Sequence, residues 1–381
     1  MKQTKTIIIG GGIAGMSSAL RLLEAGQEFL LISENLGGRI QYSEEYKVNY
    51  GAYFVMKDYR KAKALVQTST WINPADACFH NSESERFSLI SAHTLKLVPE
   101  LLRFLGIMIE FARHYNTFKK ACLSQSQKEA LQADAYMADL FNRSAASLIK
   151  EHGLQRVAND FVAKFAYACT GASTDQMNAL DFLNVSMGMI TPIWHLVFDK
   201  QAVARKFGSH LIEDSITLLE LKDGGYVLTG KSGEVYQAEN VVVATPAAVT
   251  QQLLHLPEIR EACKIYVYHL RGMLKPEYRK FTLNLFPYSS PFMLISREHD
   301  GSYLVYSRED NADLTRFFEK HELIQYLAWE KAMYIMGRAF MEQELGNGLY
   351  VAGDHNGLGL EPAAISGIYA ANKILAKQEK A

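Results

Sequence analysis

The stretch TIIIGGGIAGMSSALRLLEAG, residues 6–26, decides the fold. Its β-branched, apolar beginning predicts a strand and its glycines predict a tight turn. The residues that follow have the apolar spacing of a helix that stops at Gly26, and QEFLLIS, residues 27–33, predicts a second strand. Strand, turn, helix and strand in this order predict a βαβ unit.

The turn of this unit carries the pattern GxGxxG. The first glycine allows the tight turn, the second lets the backbone approach a pyrophosphate, and the third lets helix and strand pack closely. The helix N-terminus then stabilises the negative phosphates. We therefore predict a dinucleotide site formed by Gly10, Gly12, Ile13, Ala14 and Gly15.

An acidic residue is expected about 20 residues further on, where it would accept hydrogen bonds from the adenosine ribose. Glu34 fits that distance and is favoured, Ser33 is the competitor, and a solvated loop acid is the alternative reading of Glu34. The next residues, Gly37, Gly38 and Arg39, add a second glycine pair and a cation that can neutralise phosphates. A long cofactor that crosses the domain would use both glycine turns.

Composition limits the class of protein. The 381 residues are 48% hydrophobic and 21% charged with a net charge of −1, which is typical of a soluble globular enzyme of two domains. The sequence has no excess of basic residues, so nothing in its composition indicates a nucleic-acid partner. The four cysteines lack metal-ligand spacing and predict free thiols in a reducing compartment. With no signal peptide and no apolar segment of membrane-spanning length, we expect a cytoplasmic protein; the oligomeric state stays open.

The pattern of the remaining chain predicts a discontinuous α/β fold. Helical spacing runs from about Leu97 to Met189, strand patterns return from about Ile212 to Thr245, and a helix is predicted for ELIQYLAWEKAM, residues 322–333. A last strand near 348–354 leads into a closing helix. The predicted domains are a Rossmann-like cofactor domain at 1–60, 200–264 and 340–381, and an α+β substrate domain with a helical insert at 61–199 and 265–339.

Four stretches, taken together and in this order, resemble the flavin-containing amine oxidase superfamily. This superfamily includes amine oxidases, protoporphyrinogen oxidases and phytoene-type desaturases. The stretches are IIIGGGIAGMSSALRLLEAG, GGRI with NYGAYFV, YQAENVVVATP, and LYVAGDHNGLGLEPAAISGIYAANKI.

The resemblance implies FAD, bound by the Rossmann-like domain. Because the sequence carries no covalent-flavin signature, we expect the FAD to be non-covalent. It implies that the glycines of the first turn, Glu34 and Arg39 hold the ADP half, and that the backbone of Ile216 meets adenine. It further implies that Gly353 and Asp354 hold the ribityl and pyrophosphate region. A helix beginning at Ala364 and Ile365 would point its amides at the flavin's pyrimidine edge, where reduced flavin is negative.

Lys264, in ACKIYVYHL, resembles the amine oxidase lysine that holds a water near flavin N5. A surface lysine is the alternative. The C-terminal turn GLGLEPAA lacks the aromatic residue common in amine oxidases, whereas the helical insert resembles desaturases and protoporphyrinogen oxidases that take bulky apolar substrates. Tyr53, Trp194 and His195 follow segments that approach the flavin in relatives and are candidate substrate contacts.

The sequence therefore predicts an FAD-dependent oxidoreductase that transfers a hydride from a substrate carbon to flavin N5. The substrate is expected to be a small molecule of bulky or apolar character. One alternative is an amine oxidase that uses Lys264. Another is a non-catalytic flavin-binding protein. No metal site is expected.

Overall fold

The structure is a computed structural model that describes residues 2–82, 85–222, 224–257, 260–337 and 339–378. The strands are β1 (Lys2–Gly12), β2 (Phe29–Gly37), β3 (Tyr42–Ser43), β4 (Val48–Asn49), β5 (Phe54–Met56), β6 (Gln67–Trp71), β7 (Ala77–His80), β8 (Arg86–Ser88), β9 (Ile193–Val197), β10 (Leu211–Ile212), β11 (Ile216–Lys222), β12 (Gly225–Gly230), β13 (Val235–Val243), β14 (Glu261–Leu274), β15 (Leu283–Leu285), β16 (Phe292–Arg297), β17 (Tyr303–Ser307), β18 (Phe318–Met336), β19 (Glu344–Gly346) and β20 (Leu349–Val351). The α-helices are α1 (Ile13–Glu24), α2 (Ala92–Lys96), α3 (Val98–Ala121), α4 (Gln127–Gln132), α5 (Ala135–Asn142), α6 (Ala145–Glu151), α7 (Gln155–Val157), α8 (Ala163–Thr170), α9 (Ala179–Ile190), α10 (Lys200–Phe207), α11 (Ala247–Leu254) and α12 (Leu360–Gln378).

One large sheet joins strands from the start, middle and end of the chain. Its order is β10-β2-β1-β13-β12-β11, and β20 pairs with β13 and β19. The pairs of β1 with β2 and β13, and of β13 with β20, are parallel. Helix α12 packs on α1, where a Cβ on Gly367 would lie 1.9 Å from the Ala14 carbonyl oxygen. The predicted discontinuous Rossmann-like fold is confirmed.

The second large sheet has the order β18-β14-β17-β16-β15-β7-β8. Its inner face, with Ile265, Val267 and Tyr306, belongs to the same apolar core as the helices. Its outer face carries a separate aromatic cluster around Phe317. A side chain on β14 therefore faces either the main core or the outer side, according to its place in the two-residue alternation of the strand.

Helices α3 to α9 lie within residues 98–190, as predicted for the helical insert. A π-helical turn at Ala158–Val162 joins α7 to α8 without a break. A small sheet with the order β5-β9-β6 brings the segment after Gly51 next to Ile193–Val197. The insert therefore lies over the second sheet and shares its core.

The helix predicted for residues 322–333 is wrong. This segment is part of β18, which pairs antiparallel with β14 from Glu261 opposite Met336 to Leu274 opposite Phe318. Leucine, alanine, glutamate and lysine favour a helix locally, but strand pairing along the whole of β14 outweighs that preference. Strand β14 also begins at Glu261, so the predicted domain boundary at 264 falls inside a strand.

Among the described residues, no helix combines the length and the apolar character that crossing a membrane requires.

Candidate functional site: a two-turn glycine cradle

The first glycine turn lies between β1 and α1. Gly10 has a φ of +106°, and a Cβ there would lie 2.6 Å from the Ala244 carbonyl oxygen. A Cβ on Gly15 would lie 1.9 Å from the Gly10 carbonyl oxygen. These two glycines are therefore required by the packing of the turn itself.

Gly12 differs from its neighbours because no atom lies within 4 Å of a Cβ placed on it. Gly12 is the N-cap of α1, no side chain caps this helix, and its first turn carries no acidic residue. The free amides and positive end of α1 therefore border open space, which suits an anion.

The second glycine turn closes against the first. Gly37 and Gly38 have φ values of +106° and +60°. Gly37 pairs with Gly12, and a Cβ on Gly38 would lie 3.2 Å from the Gly12 Cα. Two backbone segments thus approach each other without side chains between them, which forms a cradle for a group that needs backbone contact.

Ser33 and Glu34 have different roles at the end of β2. Between Ile9 and Gly11 the pairing of β1 with β2 gains two residues on β2. Ser33 Oγ fills this bulge by accepting a hydrogen bond from the Gly11 amide at 2.9 Å and donating to the Asn35 carbonyl at 2.7 Å. Glu34 points outward, 60% exposed, and lies 3.3 Å from the Lys231 ammonium.

Glu34 borders a cavity of about 250 Å³ beside the start of β11. The lining residues are Glu34, Glu213, Asp214, Ser215, Lys231 and Ser232. Burial alone would raise the pKa of Asp214, but hydrogen bonds from Ser232, Ser215 and Tyr236 lower it to about 2. Of the two residues predicted for the adenosine end, Glu34 lines this cavity, whereas Ile216 follows the lining residue Ser215 in the chain but is buried and is not itself part of the lining.

Arg39 and Asp354 form one ion pair. The Arg39 guanidinium donates to both carboxylate oxygens of Asp354, at 2.6 and 2.8 Å, and to the Ala332 carbonyl at 2.9 Å. Burial opposes the charge on Asp354, but Arg39 outweighs it and lowers the carboxyl pKa. Arg39, predicted to bind the cofactor from the second glycine turn, and Asp354, predicted to bind it from the C-terminal turn, are therefore held together.

The C-terminal turn adds a histidine that the sequence did not single out. A Cβ on Gly353 would lie 2.8 Å from His355 Nε2. His355 is 3% exposed, and neither ring nitrogen has a hydrogen-bond partner among the described residues. Burial lowers its pKa and so favours the uncharged form of the ring. A histidine directly after GD was the available signal.

Helix α12 begins four residues before the position predicted from the resemblance. It starts at Leu360, so the amides of Ala364 and Ile365 lie within the intrahelical hydrogen-bond ladder. The Glu361 carboxylate is fixed by accepting hydrogen bonds from the amides of residues 60–62. That buried contact ties the first turn of α12 to residues 60–62. The Ala363 amide already donates to the Gly359 carbonyl, so amides without an intrahelical partner lie earlier in the chain than Ala363.

The comparison with known proteins decides the family. A profile described as DAO, FAD dependent oxidoreductase, matches residues 5–373. The chain belongs to this FAD-dependent oxidoreductase family. FAD is therefore confirmed as the cofactor type, and the open space at Gly12, the uncapped N-terminus of α1 and the unpartnered His355 fit a group of that length and charge.

Relatives of this FAD family member include amine oxidases. This chain is 22% identical over 275 residues to (S)-6-hydroxynicotine oxidase of Paenarthrobacter nicotinovorans. The aligned region covers 67% of this chain and 63% of that protein. The chain thus spans about 63% of the length of this curated relative.

Solved structures share the fold. A redesigned putrescine oxidase superposes with a TM-score of 0.69 at 13% identity, covering 98% of this chain and 99% of that one. Cyclohexylamine oxidase from Brevibacterium oxydans gives a TM-score of 0.69 at 14% identity, with 99% of each chain covered. The predicted resemblance to flavin-containing amine oxidases is confirmed.

Lys264 is not brought to the FAD cradle. Its side chain is 59% exposed on the outer face of β14, and its ammonium lies 2.7 Å from Glu330. The Tyr266 hydroxyl donates to the same carboxylate at 2.8 Å. Trp329, which pairs with Ile265, instead faces inward: a Cβ on Gly51 would lie 2.6 Å from its indole.

A second cluster of polar side chains surrounds the ring of Tyr53. The Tyr53 hydroxyl lies 2.6 Å from Ser296 Oγ and 3.1 Å from Glu298, and its ring lies 5.0 Å from His195. Burial and His299 lower the pKa of His195 to about 4, and burial raises the pKa of Glu298. His195, Glu298 and His299 line a cavity of about 280 Å³. Of the predicted substrate contacts, Tyr53 and His195 are brought together.

Proposed function

We propose that this protein oxidises a small-molecule substrate at a carbon atom, with FAD bound non-covalently in the two-turn glycine cradle. The observation that carries the proposal is the open space at Gly12, bordered by the free amides of α1 and by the backbone of Gly38. When bound, FAD would supply the acceptor for the substrate hydride.

The chain's own groups divide the work of holding this cofactor. We assign the pyrophosphate to the amides at Gly12 and the start of α1, since backbone N–H groups suit an anion there. We assign the adenosine ribose to Glu34, because Ser33 already uses its hydroxyl inside the β2 bulge. His355 would supply a neutral donor or acceptor beside Gly353.

Arg39 orients the C-terminal turn more than it adds charge to the site. Its guanidinium is paired with the Asp354 carboxylate, so the two charges offset each other. The pair links the second glycine turn to the turn after β20 and fixes their separation. Trp329 packs against Gly51 and would exclude water from the inner side of the second sheet.

A bulky or apolar substrate is the class that we favour. The helical insert shares one apolar core with the inner face of the second sheet, and Phe54 and Phe165 meet at Gly188 within it. An amine is the second candidate, because the relatives are named for hydroxynicotine, putrescine and cyclohexylamine. An amine oxidase in which Lys264 holds a water near flavin N5 is not supported, because the Lys264 side chain lies on the outer face of β14.

The free cysteines support a reducing, cytoplasmic location, since Cys78, Cys122 and Cys263 are buried thiols without disulfide partners. We also propose that the two large sheets mark two domains, a discontinuous FAD-binding domain and a substrate domain. The predicted boundaries would then move so that β14 stays whole in the substrate domain.

The decisive experiment uses the purified protein. Its visible spectrum should show a flavin, and heat should release FAD that a reference compound identifies. Anaerobic mixing with a panel of apolar polyenes and of primary, secondary and tertiary amines should bleach the flavin with the true substrate class. A colourless protein that FAD cannot reconstitute would contradict the cofactor assignment. A flavin that no member of the panel reduces would instead favour a non-catalytic flavin-binding protein.

A further inference from the structure

The hydroxyl group of Tyr59 reaches the C-terminal turn. Its oxygen lies 3.4 Å from the position that a Cβ on Gly359 would take. Among the described residues, only one atom of Pro362 also comes within 4 Å of that position, so the turn borders open space here. Tyr59 as a whole is 8% exposed. The hydroxyl is therefore the end of a buried side chain that faces this space.

This hydroxyl lacks a hydrogen-bond partner. Among the described residues, no group donates to it or accepts from it, and its oxygen is not sealed by protein atoms. Burial raises the pKa of Tyr59 above its usual range, and the charges of Asp58 and Glu361 act in the same direction. The hydroxyl therefore keeps its proton and is available as a donor. A mostly buried donor without a partner costs free energy, which a bound acceptor would recover.

The first turn of α12 fixes the position of Tyr59. The residues that follow it, 60–62, direct their backbone amides to the Glu361 carboxylate at 2.8 to 3.0 Å. Glu361 is 3% exposed, and these amides use both of its oxygens. Hydrogen bonds from several amides to one buried carboxylate are strong and hold both segments in place. The Tyr59 hydroxyl is therefore held beside the start of α12 by the chain itself.

The start of α12 supplies further donors next to this hydroxyl. The first backbone hydrogen bond of the helix runs from the Ala363 amide to the Gly359 carbonyl. Pro362 has no amide hydrogen. Among the described residues, no group accepts from the amides of Leu360 and Glu361. Free amides at a helix N-terminus favour a negative group, and the phenol adds one more donor at the same place.

FAD has two parts that suit such a place. One is the pyrophosphate, and the other is the pyrimidine edge of the ring, which is negative in the reduced flavin. Helices α1 and α12 meet where a Cβ on Gly367 would contact Ala14. Helix α1 begins next to that contact, whereas α12 begins seven residues before it, at a distance of about 10 Å. With the pyrophosphate at Gly12, the start of α12 is left for the ring.

We infer that Tyr59 donates a hydrogen bond to the pyrimidine edge of the flavin ring and so raises the reduction potential of the bound FAD. This inference rests on the proposed function, because it requires FAD in the two-turn glycine cradle. The edge gains negative charge when the flavin is reduced, and a hydrogen bond to a charged acceptor is stronger than one to a neutral acceptor. Tyr59 would therefore stabilise the reduced form more than the oxidised form.

The test measures the two-electron reduction potential of the purified holoprotein, by anaerobic reduction in the presence of a reference dye of known potential. Tyr59→Phe should lower the equilibrium constant for flavin reduction about ten-fold, which corresponds to a potential about 30 mV lower. Tyr167→Phe is the matched control. Tyr167 is 1% exposed on α8 and donates to the Ser290 carbonyl at 2.8 Å, so this variant should keep the wild-type potential.

The melting temperature of the apoprotein separates this role from a structural one. Tyr59→Phe should leave it unchanged or raise it, because the lost hydroxyl has no partner among the described residues. Tyr167→Phe should lower it, because the hydrogen bond to Ser290 is lost. A lower melting temperature for Tyr59→Phe together with an unchanged potential would assign Tyr59 to the fold alone and refute the inference.

Two further results would overturn the inference in different ways. If Tyr59→Phe keeps the wild-type potential but changes the rate at which a compound of the substrate panel reduces the flavin, the hydroxyl contacts the substrate and not the ring. If the wild-type protein binds no FAD, the proposed function fails and this inference fails with it. A wild type that holds FAD beside a Tyr59→Phe variant of equal potential refutes the inference alone.

Discussion

Replacing Gly12 with alanine separates the fold of the first glycine turn from its role in binding. Gly12 has φ −72° and ψ 176°, which alanine adopts without strain, and no atom lies within 4 Å of the added Cβ. The methyl group would instead occupy the open space that we assign to the pyrophosphate. The variant should therefore fold normally and bind FAD poorly.

The two expected magnitudes differ widely. Replacing glycine stabilises by about 0.4–1 kcal/mol through the unfolded state, but alanine is a poorer N-cap by a similar amount. The unfolding free energy of the apoprotein should thus change by less than about 1 kcal/mol. Displacing a phosphate from one or two amides forfeits about 1.5–3 kcal/mol for each charged hydrogen bond. FAD affinity should fall roughly ten-fold to ten-thousand-fold.

The assay is a titration of apoprotein with FAD, followed by flavin fluorescence, beside urea unfolding of the same samples. Gly106→Ala serves as the control, because it also adds a methyl group in open space but lies on α3; its FAD affinity should equal that of wild type. Gly15→Ala should unfold the turn, because its Cβ would lie 1.9 Å from the Gly10 oxygen. Wild-type affinity in Gly12→Ala would refute the placement of the pyrophosphate.

Three further predictions follow from the site. Ser33→Ala should lower the unfolding free energy by about 1 kcal/mol, because it removes the hydrogen bond that Ser33 Oγ accepts from the Gly11 amide. Glu34→Ala should mainly weaken FAD binding. Calorimetry measures the first effect and FAD titration the second, and the reverse pattern would contradict the assignment. Lys264→Met should leave flavin reoxidation by oxygen unchanged in stopped flow, since its ammonium pairs on the outer face, and a large slowing would return it to the site. Because folding lowers the pKa of Asp354, its ionised carboxylate stabilises the folded protein above the ordinary pKa near 3.9, and this stabilisation is lost as pH falls through the folded-state pKa. In acid unfolding measurements, the unfolding free energy of Asp354→Asn should therefore fall less over that pH range than the unfolding free energy of wild type.

Local signals in the sequence predicted the parts of the site that depend on backbone geometry. Gly10, Gly15, Gly37 and Gly38 were identifiable because only glycine tolerates their dihedral angles or contacts. Strand and helix periodicity likewise predicted the parallel sheet and the helical insert. What periodicity could not supply was long-range pairing, so β18, whose residues favour a helix, was assigned wrongly.

The sequence by itself determined that a dinucleotide cradle exists, because glycines at fixed spacing after a strand leave few backbone alternatives. Tertiary structure decided which side chains face it. Arg39 meets Asp354 315 residues away, and Lys264 faces outward because the alternation of β14 places its neighbours inward.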